Sequence, residues 1–339
     1  MPPLALTMGE PAGIGGEIAL MAWRSRADAV PPFFLIDDPD RIETLAELTG
    51  LDARVERIAE PEDAAAVFPR ALPVLPERLP AAVDPGRPSA ANAPAVIRAI
   101  DRAAGFARSG RAGAMVTNPI HKTTLYDAGF EHPGHTEYLA ALAGLDAPSV
   151  MMLACDELRV VPVTVHLSLR AAIEALDADA IVHCGRVTAA ALKADFGIER
   201  PRLAVAGLNP HAGEDGHMGR EEIDIVAPAI ARLREEGIAV SGPAPADTLF
   251  HAAARAGYDA VLCMYHDQAL IPLKTIDFAG GVNVTLGLPF VRTSPDHGTA
   301  FAIAGTGTAS PESLIAALRM ADRMARCRAG AATKGRAVA

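Results

Sequence analysis

The sequence predicts an α/β protein built around a parallel sheet, because short apolar segments repeatedly end in polar loops that contain a histidine. Three such segments are 160–165 before His166, 203–208 before His211, and 260–265 before His266. The histidines are 45 and 55 residues apart, a spacing that suits one or two strand–helix units. Each segment is short and apolar, as expected for a strand that is buried on both faces.

These three histidines predict a metal site if their strands are parallel neighbours. Open α/β sheets bind ligands beyond the carboxyl ends of their strands, so the side chains could converge on one point. Three imidazoles with one open position are typical of a catalytic divalent metal. A histidine at a strand end can equally be a structural residue held by hydrogen bonds, and the pattern alone leaves both interpretations open.

The composition indicates a large globular protein that does not bind nucleic acid nonspecifically. The 339 residues are 50% hydrophobic, enough for two domains or subdomains, and the net charge is −10. No run of about 20 apolar residues suggests a membrane span, and the first residues read as a strand instead of a signal peptide. The four cysteines have no paired spacing, as expected for a reduced, cytoplasmic protein.

Two glycine-rich turns could present backbone amides to a ligand. The strand-like segment 4–7 runs into the turn 8–16 and a helix at 17–23, but the turn has neither the GxGxxG spacing nor a P-loop lysine. The second turn, 305–308, follows a strand-like segment at 301–304 and precedes a helix with Pro311 at its first position. The second turn therefore resembles an anion or cofactor cradle.

Several polar positions lie near these elements. Lys274 and Arg292 are candidates for binding an anionic group, Lys as a point charge and Arg as a two-donor fork. We expect Pro272 to form a turn that delivers Lys274. His135 and Thr136 open a helix, where they could cap it or contact a ligand. Asp247 could cap a helix or belong to the metal site.

Nine segments together closely resemble the 4-hydroxythreonine-4-phosphate dehydrogenase family. They are MGEPAGIG (8–15), VTNPIHK (116–122), PGHTEYLA (133–140), VTVHLSL (163–169), LNPHAGE (208–214), PADTLFH (245–251), MYHDQALIPLK (264–274), VNVTLGLPFVRTSPDHGTAF (282–301) and AGTG (304–307). The resemblance therefore covers nearly the whole chain.

The resemblance implies the fold of isocitrate and isopropylmalate dehydrogenases, with two α/β/α subdomains and a cleft between them. We expect residues 1–127 and 300–330 to form the first subdomain. Residues 128–299 would form the second, which carries the metal site and the interface of a homodimer. Residues 331–339 would be a disordered tail.

The resemblance also assigns roles to residues. The implied metal ligands are His166, His211 and His266, with His266 supplied by the partner subunit. The implied substrate-binding residues are His135, Thr136, Lys274, Asn283 and Arg292. Lys274 and Asp247 are the candidates for catalytic proton transfer. The resemblance identifies no cofactor-binding residue.

The implied reaction is an NAD-dependent oxidation of the C3 hydroxyl of 4-phosphohydroxy-L-threonine, followed by decarboxylation, in vitamin B6 biosynthesis. NADP is an alternative to NAD. Zn²⁺ is the expected metal, with Mg²⁺ or Co²⁺ as alternatives. Sister enzymes that act on D-threonate or D-erythronate 4-phosphate, or on a cis-dihydrodiol dicarboxylate, would use the same ligands, and a noncatalytic metal- or anion-binding protein is the more distant alternative.

Overall fold

The structure is a computed structural model that describes residues 1–132, 134–145 and 147–338, with side chains described up to residue 331. Its strands are β1 (Leu4–Thr7), β2 (Phe33–Asp37), β3 (Val55–Arg57), β4 (Leu72–Pro76), β5 (Met115–Thr117), β6 (Val150–Ala154), β7 (Arg159–Pro162), β8 (Arg202–Ala206), β9 (Ala239–Ala244), β10 (Ala260–Cys263), β11 (Val282–Leu286) and β12 (Arg292–Pro295). Its α-helices are α1 (Gly15–Arg24), α2 (Pro39–Thr49), α3 (Ala64–Val67), α4 (Ala93–Ser109), α5 (Lys122–Asp127), α6 (His135–Ala143), α7 (Leu169–Ala175), α8 (Ala178–Ala194), α9 (Ala227–Glu235), α10 (Ala252–Arg255), α11 (His266–Ile276) and α12 (Glu312–Val338).

The chain forms two compact units. The first contains residues 1–148 and 288–326, and the second contains residues 149–287 and 327–339. The sequence placed the second subdomain at residues 128–299, whereas the second compact unit contains residues 149–287 and also residues 327–339. The division into subdomains stays a prediction.

The first unit contains six parallel strands in the order β3-β4-β2-β1-β5-β12. β1 is central, with Leu4 opposite Phe33 on β2 and Ala5 opposite Met115 on β5. All four β1 residues are buried, as expected for a strand covered on both faces by helices. The carboxyl ends of these strands therefore lie along one edge of the sheet.

Helix α2 shows how local sequence sets an element boundary in this unit. The Asp38 carboxylate accepts a hydrogen bond from the backbone N–H of Asp40, and Pro39 occupies the first helical turn. The helix ends at Gly50, whose φ of 65° lies in the left-handed region that glycine adopts without strain.

The second unit contains a mixed sheet in the order β11-β6-β7-β10-β8-β9. β6 runs antiparallel to both β11 and β7, whereas β7, β10, β8 and β9 are parallel. β10 lies between β7 and β8, so the three strands that precede the predicted histidine ligands are neighbours. The core contains the buried side chains Leu153, Val160, Val261 and Leu273.

Two local predictions were wrong. The segment 301–304 is a 3₁₀ turn at Phe301–Ile303 instead of a strand, because Ala300 has a left-handed backbone with φ 48°. Lys274 is delivered by helix α11, which contains Pro272, instead of by a turn. The start of α11 is anchored by Gln268, which accepts a hydrogen bond from Met264 N–H and donates one to the Gly207 carbonyl. We attribute the persistence of the helix through proline to these contacts.

The backbone of α12 is helical through Val338, where the sequence predicted a disordered tail at 331–339. Within the ranges that the structure describes, no helix has both the length and the apolar character required to cross a membrane.

Candidate active site

The side chains that follow β7 and β10 meet at the carboxyl ends of these adjacent strands. The imidazole rings of His166 and His266 have centroids 6.0 Å apart. They line a cavity of about 230 Å³ together with Thr164, Leu167, Leu169, Ala172, Tyr265 and Asp267. His166 and His266 of one chain therefore lie beside each other, and the expectation that His266 of the partner subunit completes the metal site stays a prediction.

The ring of His266 is oriented by the residue that follows it. His266 is the first residue of α11, and its Nδ1 lies 2.7 Å from Oδ1 of Asp267. A proton on Nδ1 that is donated to the carboxylate leaves Nε2 as the ligating nitrogen. Carboxylates beside metal-ligating histidines fix the tautomer in this way.

His211 follows β8 in an unusual left-handed segment. Residues 211–215 all have positive φ, and four of them are not glycine. Such a backbone costs about 1–2 kcal/mol per non-glycine residue, so surrounding contacts must hold it. The buried Glu222 contributes, because its Oε1 accepts a 2.7 Å hydrogen bond from Asn209 N–H and its Oε2 accepts one from the Asn209 amide.

Imidazole is a common ligand of divalent metals. Within the part of the chain that the structure describes, the three predicted histidines include one close pair, His166 and His266. A centroid separation of 6.0 Å lets two imidazole nitrogens approach one ion at about 2.1 Å each. Among the described residues, no three His, Cys, Asp or Glu side chains are grouped closely enough to hold an ion. The three-histidine set therefore stays a prediction.

The two candidates for proton transfer lie on different elements of the second unit. Asp247 is exposed in the 3₁₀ turn Ala246–Thr248. Lys274 lies on α11, eight residues beyond His266, so about 12 Å of helix rise separates the two. The Lys274 Nζ is 5.5 Å from the centroid of the Phe278 ring, which is a cation–π contact. Asn283 lies on β11, opposite Leu153 on β6.

Arg292 is a buried cation in the first unit. It begins β12, pairs with Met115 on β5, and is only 3% exposed. Its Nη2 donates a 2.6 Å hydrogen bond to Oγ1 of Thr117 at the end of β5. Burial lowers the pKa of Arg292 to about 10, so the guanidinium remains charged at neutral pH.

His135 opens helix α6, with Thr136 in the same first turn. Its Nε2 is shielded from solvent and has no hydrogen-bond partner among the described residues. The pKa of His135 is well below its usual value, first because of burial and then because of the nearby charges of Arg292 and Lys122. The imidazole is therefore neutral at physiological pH.

Lys122 was not among the candidate residues. Only its place in the VTNPIHK segment could have indicated it, because that segment follows the apolar strand β5. The charge of Lys122 acts on His135, and its ammonium lies beside Gly134.

The predicted cradle at 305–308 already holds an anion from this chain. The fully buried carboxylate of Glu17 on α1 accepts hydrogen bonds from Gly305 N–H at 2.9 Å and Gly307 N–H at 2.6 Å. The expectation that these two amides bind an external anion or cofactor is therefore wrong.

Comparisons with known proteins identify the family. Residues 29–321 match the sequence model of the family described as pyridoxal phosphate biosynthetic protein PdxA. The chain belongs to the PdxA family. A 4-hydroxythreonine-4-phosphate dehydrogenase from Methylorubrum extorquens is 58% identical over 330 residues, which cover 95% of this chain and 94% of the relative.

Two solved structures confirm the predicted α/β fold class. A 4-hydroxythreonine-4-phosphate dehydrogenase from Klebsiella pneumoniae has a TM-score of 0.87 and 40% identity, covering 96% of this chain and 98% of its own. A terephthalate 1,2-cis-dihydrodiol dehydrogenase from Burkholderia xenovorans has a TM-score of 0.64 and 30% identity, covering 95% and 97%. The PdxA family thus shares its fold with a dehydrogenase named for a different substrate.

Proposed function

We propose that this chain oxidises 4-phosphohydroxy-L-threonine at its C3 hydroxyl with NAD, in the cytoplasm, during biosynthesis of pyridoxal 5′-phosphate. The product, 2-amino-3-oxo-4-phosphonooxybutanoate, is a β-keto acid that loses carbon dioxide to give 3-amino-2-oxopropyl phosphate. The observation that carries the proposal is the 58% identity to the Methylorubrum dehydrogenase, which extends over 95% of this chain.

In this proposal, His166, His211 and His266 hold a divalent cation, with Zn²⁺ expected and Mg²⁺ or Co²⁺ as alternatives. The bound ion would supply a Lewis acid beside the C3 hydroxyl, and NAD, or alternatively NADP, would supply the hydride acceptor. The pairing of His166 with His266 supports this set of ligands. Asp267 keeps the His266 ring in the orientation that leaves Nε2 available.

The substrate would be positioned by His135, Thr136, Lys274, Asn283 and Arg292. The burial of the Arg292 guanidinium supports a role in binding an anion, because charge-assisted hydrogen bonds strengthen away from water. Holding C3 against the hydride acceptor lowers the activation free energy, because correctly oriented reactants lose less entropy on reaching the transition state. Either Asp247 or Lys274 would accept the hydroxyl proton, and pH–rate profiles of Asp247→Ala and Lys274→Ala distinguish the two.

A homodimer is part of the proposal. Large apolar side chains are exposed along the segments that follow His166 and His266, namely Leu167 (48%), Leu169 (58%), Ile271 (64%) and Phe278 (80%). A monomer rarely exposes such a group of side chains without a partner. We propose that a second copy covers them and that His266 of the partner subunit completes the metal site, as the resemblance implies. The subdomain at 128–299 would then carry both the metal site and the dimer interface.

The second candidate function is a sister dehydrogenase. The structural likeness to the terephthalate dihydrodiol dehydrogenase favours it, because that protein has the same fold at 30% identity. D-threonate 4-phosphate and D-erythronate 4-phosphate are further substrates to consider. We rank oxidation of 4-phosphohydroxy-L-threonine first, because the chain is 58% identical to the Methylorubrum enzyme and only 30% identical to the terephthalate dihydrodiol dehydrogenase.

The test measures NADH formation by metal-replete protein with 4-phosphohydroxy-L-threonine, D-erythronate 4-phosphate and the cis-dihydrodiol in parallel. We expect turnover of the amino acid, loss of turnover with a chelator, and recovery when zinc or cobalt is added. Turnover of another substrate alone transfers the assignment to a sister enzyme. Binding of metal without turnover of any substrate overturns the proposed function.

A further inference from the structure

A cavity of about 340 Å³ in the first unit is lined mainly by arginines. We call it the arginine pocket, and its lining residues are Trp23, Arg24, Arg26, Asp52, Arg54 and Arg70. Four of these six side chains are cations and one is an anion, although the whole chain has a net charge of −10. Such a local reversal of charge attracts anions to the cavity.

The arginine pocket lies at the amino-terminal ends of β3 and β4. Arg54 directly precedes β3, and Arg70 lies two residues before β4. Leu72, the first residue of β4, donates a 2.8 Å backbone hydrogen bond to the carbonyl of Arg54. Because the strands of this unit are parallel, this edge of the sheet is opposite the one where β5 ends at Thr117, beside Arg292. The arginine pocket therefore lies apart from Arg292.

The end of α1 is fixed against the segment that precedes β4. The indole N–H of Trp23 donates a 2.8 Å hydrogen bond to the carbonyl of Phe68, and Nε of Arg26 donates a 3.1 Å hydrogen bond to the carbonyl of Pro69. The guanidinium carbon of Arg26 also lies 3.9 Å from the centroid of a Trp23 ring, which is a cation–π contact. These contacts preorganise Arg26, so a ligand does not have to order this side chain.

Three cations of the arginine pocket are available to a ligand. Among the side chains that the structure describes, Arg24, Arg26 and Arg54 form no ion pair with a carboxylate, and Arg24 and Arg54 are exposed. Asp52 lines the same cavity but pairs with none of them. An incoming anion would therefore contact guanidinium groups whose charges no carboxylate of this chain balances.

We propose that the arginine pocket binds a phosphorylated small molecule through its phosphate groups. A guanidinium presents a planar fork of donors that matches two oxygens of a phosphate. A phosphate monoester carries a charge of about −1.5 to −2 near neutral pH and has three strong acceptor oxygens, which suits three unpaired guanidinium groups. The volume of about 340 Å³ is that of a small-molecule site. This inference goes beyond the proposed dehydrogenase function and does not depend on it.

A second cavity, of about 620 Å³, adjoins the arginine pocket. The two cavities share Asp52, Arg54 and Arg70. The second cavity is also lined by the carboxylates of Glu43, Glu47 and Glu56, which repel phosphate but accept hydrogen bonds from hydroxyl groups. A sugar attached to the phosphate would therefore lie in the second cavity, and the phosphate in the arginine pocket.

The experiment titrates the full-length protein with inorganic pyrophosphate, orthophosphate and ADP. Trp23 is the only tryptophan in the chain, so its fluorescence reports on the arginine pocket. We expect a saturable change in emission, because a phosphate that binds Arg26 alters the guanidinium contact with the indole ring. Isothermal titration calorimetry gives the Kd independently. Tighter binding of ADP than of pyrophosphate assigns the pocket to a nucleotide, and the reverse order assigns it to a phosphate or diphosphate without a nucleoside.

The variants compare Arg54 with an exposed arginine outside the pocket. Loss of one charge-assisted contact in Arg54→Ala should raise the Kd for pyrophosphate about tenfold or more. Arg54→Lys should recover part of the affinity, because lysine keeps the charge but not the fork of donors. The matched control is Arg78→Ala, because Arg78 is exposed in the same unit and follows β4 at its carboxyl end. This control should bind pyrophosphate like wild type.

Three results overturn the proposal. The first is that wild type binds none of the phosphate compounds. The second is that Arg54→Ala and wild type bind pyrophosphate with the same Kd, which places any binding elsewhere on the protein. The third is that sulfate binds as tightly as pyrophosphate, which indicates a cationic surface without selectivity for phosphate. A melting curve for each variant verifies that the variant is folded.

Discussion

The imidazole of His166 lies 6.0 Å from that of His266, although the two residues are 100 positions apart in the chain. Their strands, β7 and β10, are parallel neighbours, with Val160 opposite Val261 and Val161 opposite Leu262. Because the two strands are parallel and aligned, both end at the same edge of the sheet. The loops that follow them line one cavity. This pairing is the strongest geometric support for a metal site in the second unit.

Replacing His266 with alanine should remove most of the bound metal and of the dehydrogenase activity. The substitution deletes a nitrogen ligand from the proposed three-histidine set. Metal content after dialysis, measured by elemental analysis, is the direct readout. His251→Asn is the matched control, because His251 caps helix α10 through Nδ1, and asparagine retains an acceptor at that position. Full metal content in His266→Ala would contradict the proposed ligands.

Replacing Asp267 with asparagine should lower metal affinity or activity about 10- to 100-fold, because the carboxylate orients the His266 ring. The measurement is a competition titration with a chelator of known affinity. Asp156→Asn, at an exposed aspartate before β7, serves as the surface control. An unchanged affinity in Asp267→Asn would mean that the contact is only a surface ion pair.

Replacing Phe278 with aspartate should dissociate the proposed homodimer. Phe278 is 80% exposed in the single chain, and an aspartate buried in an interface leaves a charge without a partner. Sedimentation velocity at several protein concentrations gives the oligomeric state. The control is Leu48→Asp, at an apolar residue of the first unit that is 59% exposed. A dimer that survives Phe278→Asp, or a monomeric wild type, would refute this interface.

Replacing Glu17 with alanine should destabilise the protein by about 3 kcal/mol, because two backbone N–H groups lose their acceptor inside the fold. These donors are Gly305 and Gly307. Glu17→Gln retains an amide oxygen and should lose less stability. Urea unfolding followed by circular dichroism gives the difference, with the exposed Glu47→Ala as control. If Glu17→Ala unfolds at the same urea concentration as wild type, the turn does not need this carboxylate for its stability.

The buried carboxyl of Asp37 should make the protein less stable as the pH rises from about 4 to about 6. Burial raises the pKa of Asp37 from 3.8 to about 6, with Arg41 opposing the shift. In this interval the folded state binds the proton and the unfolded state does not, so stability falls with increasing pH, by up to about 3 kcal/mol.

Replacing Asp37 with asparagine should flatten that part of the stability profile. Melting temperatures of wild type and Asp37→Asn between pH 4 and pH 7 are the measurement, and the exposed Asp52→Asn should retain the wild-type profile. The same slope in Asp37→Asn and wild type would show that other groups control the dependence.

Much of the fold could be predicted because it depends on local pattern. Strand β1 at 4–7 was predicted to the residue, and the predicted apolar segments 160–165, 203–208 and 260–265 overlap with strands β7, β8 and β10. Local pattern failed at Pro272, because the contacts of Gln268 and the buried Leu273 keep that segment helical. It failed again at 301–304, because Ala300 takes a backbone conformation that its residue type does not indicate.

The sequence by itself determined the α/β class, the family, and the positions of the histidines at strand ends, because each depends on residues close together in the chain. Only the tertiary structure decided which of these residues meet. It placed His166 beside His266, brought Lys122 to His135, and filled the turn at 305–308 with the carboxylate of Glu17, 288 residues before Gly305. Such contacts depend on the order and register of strands, which neighbouring residues do not encode.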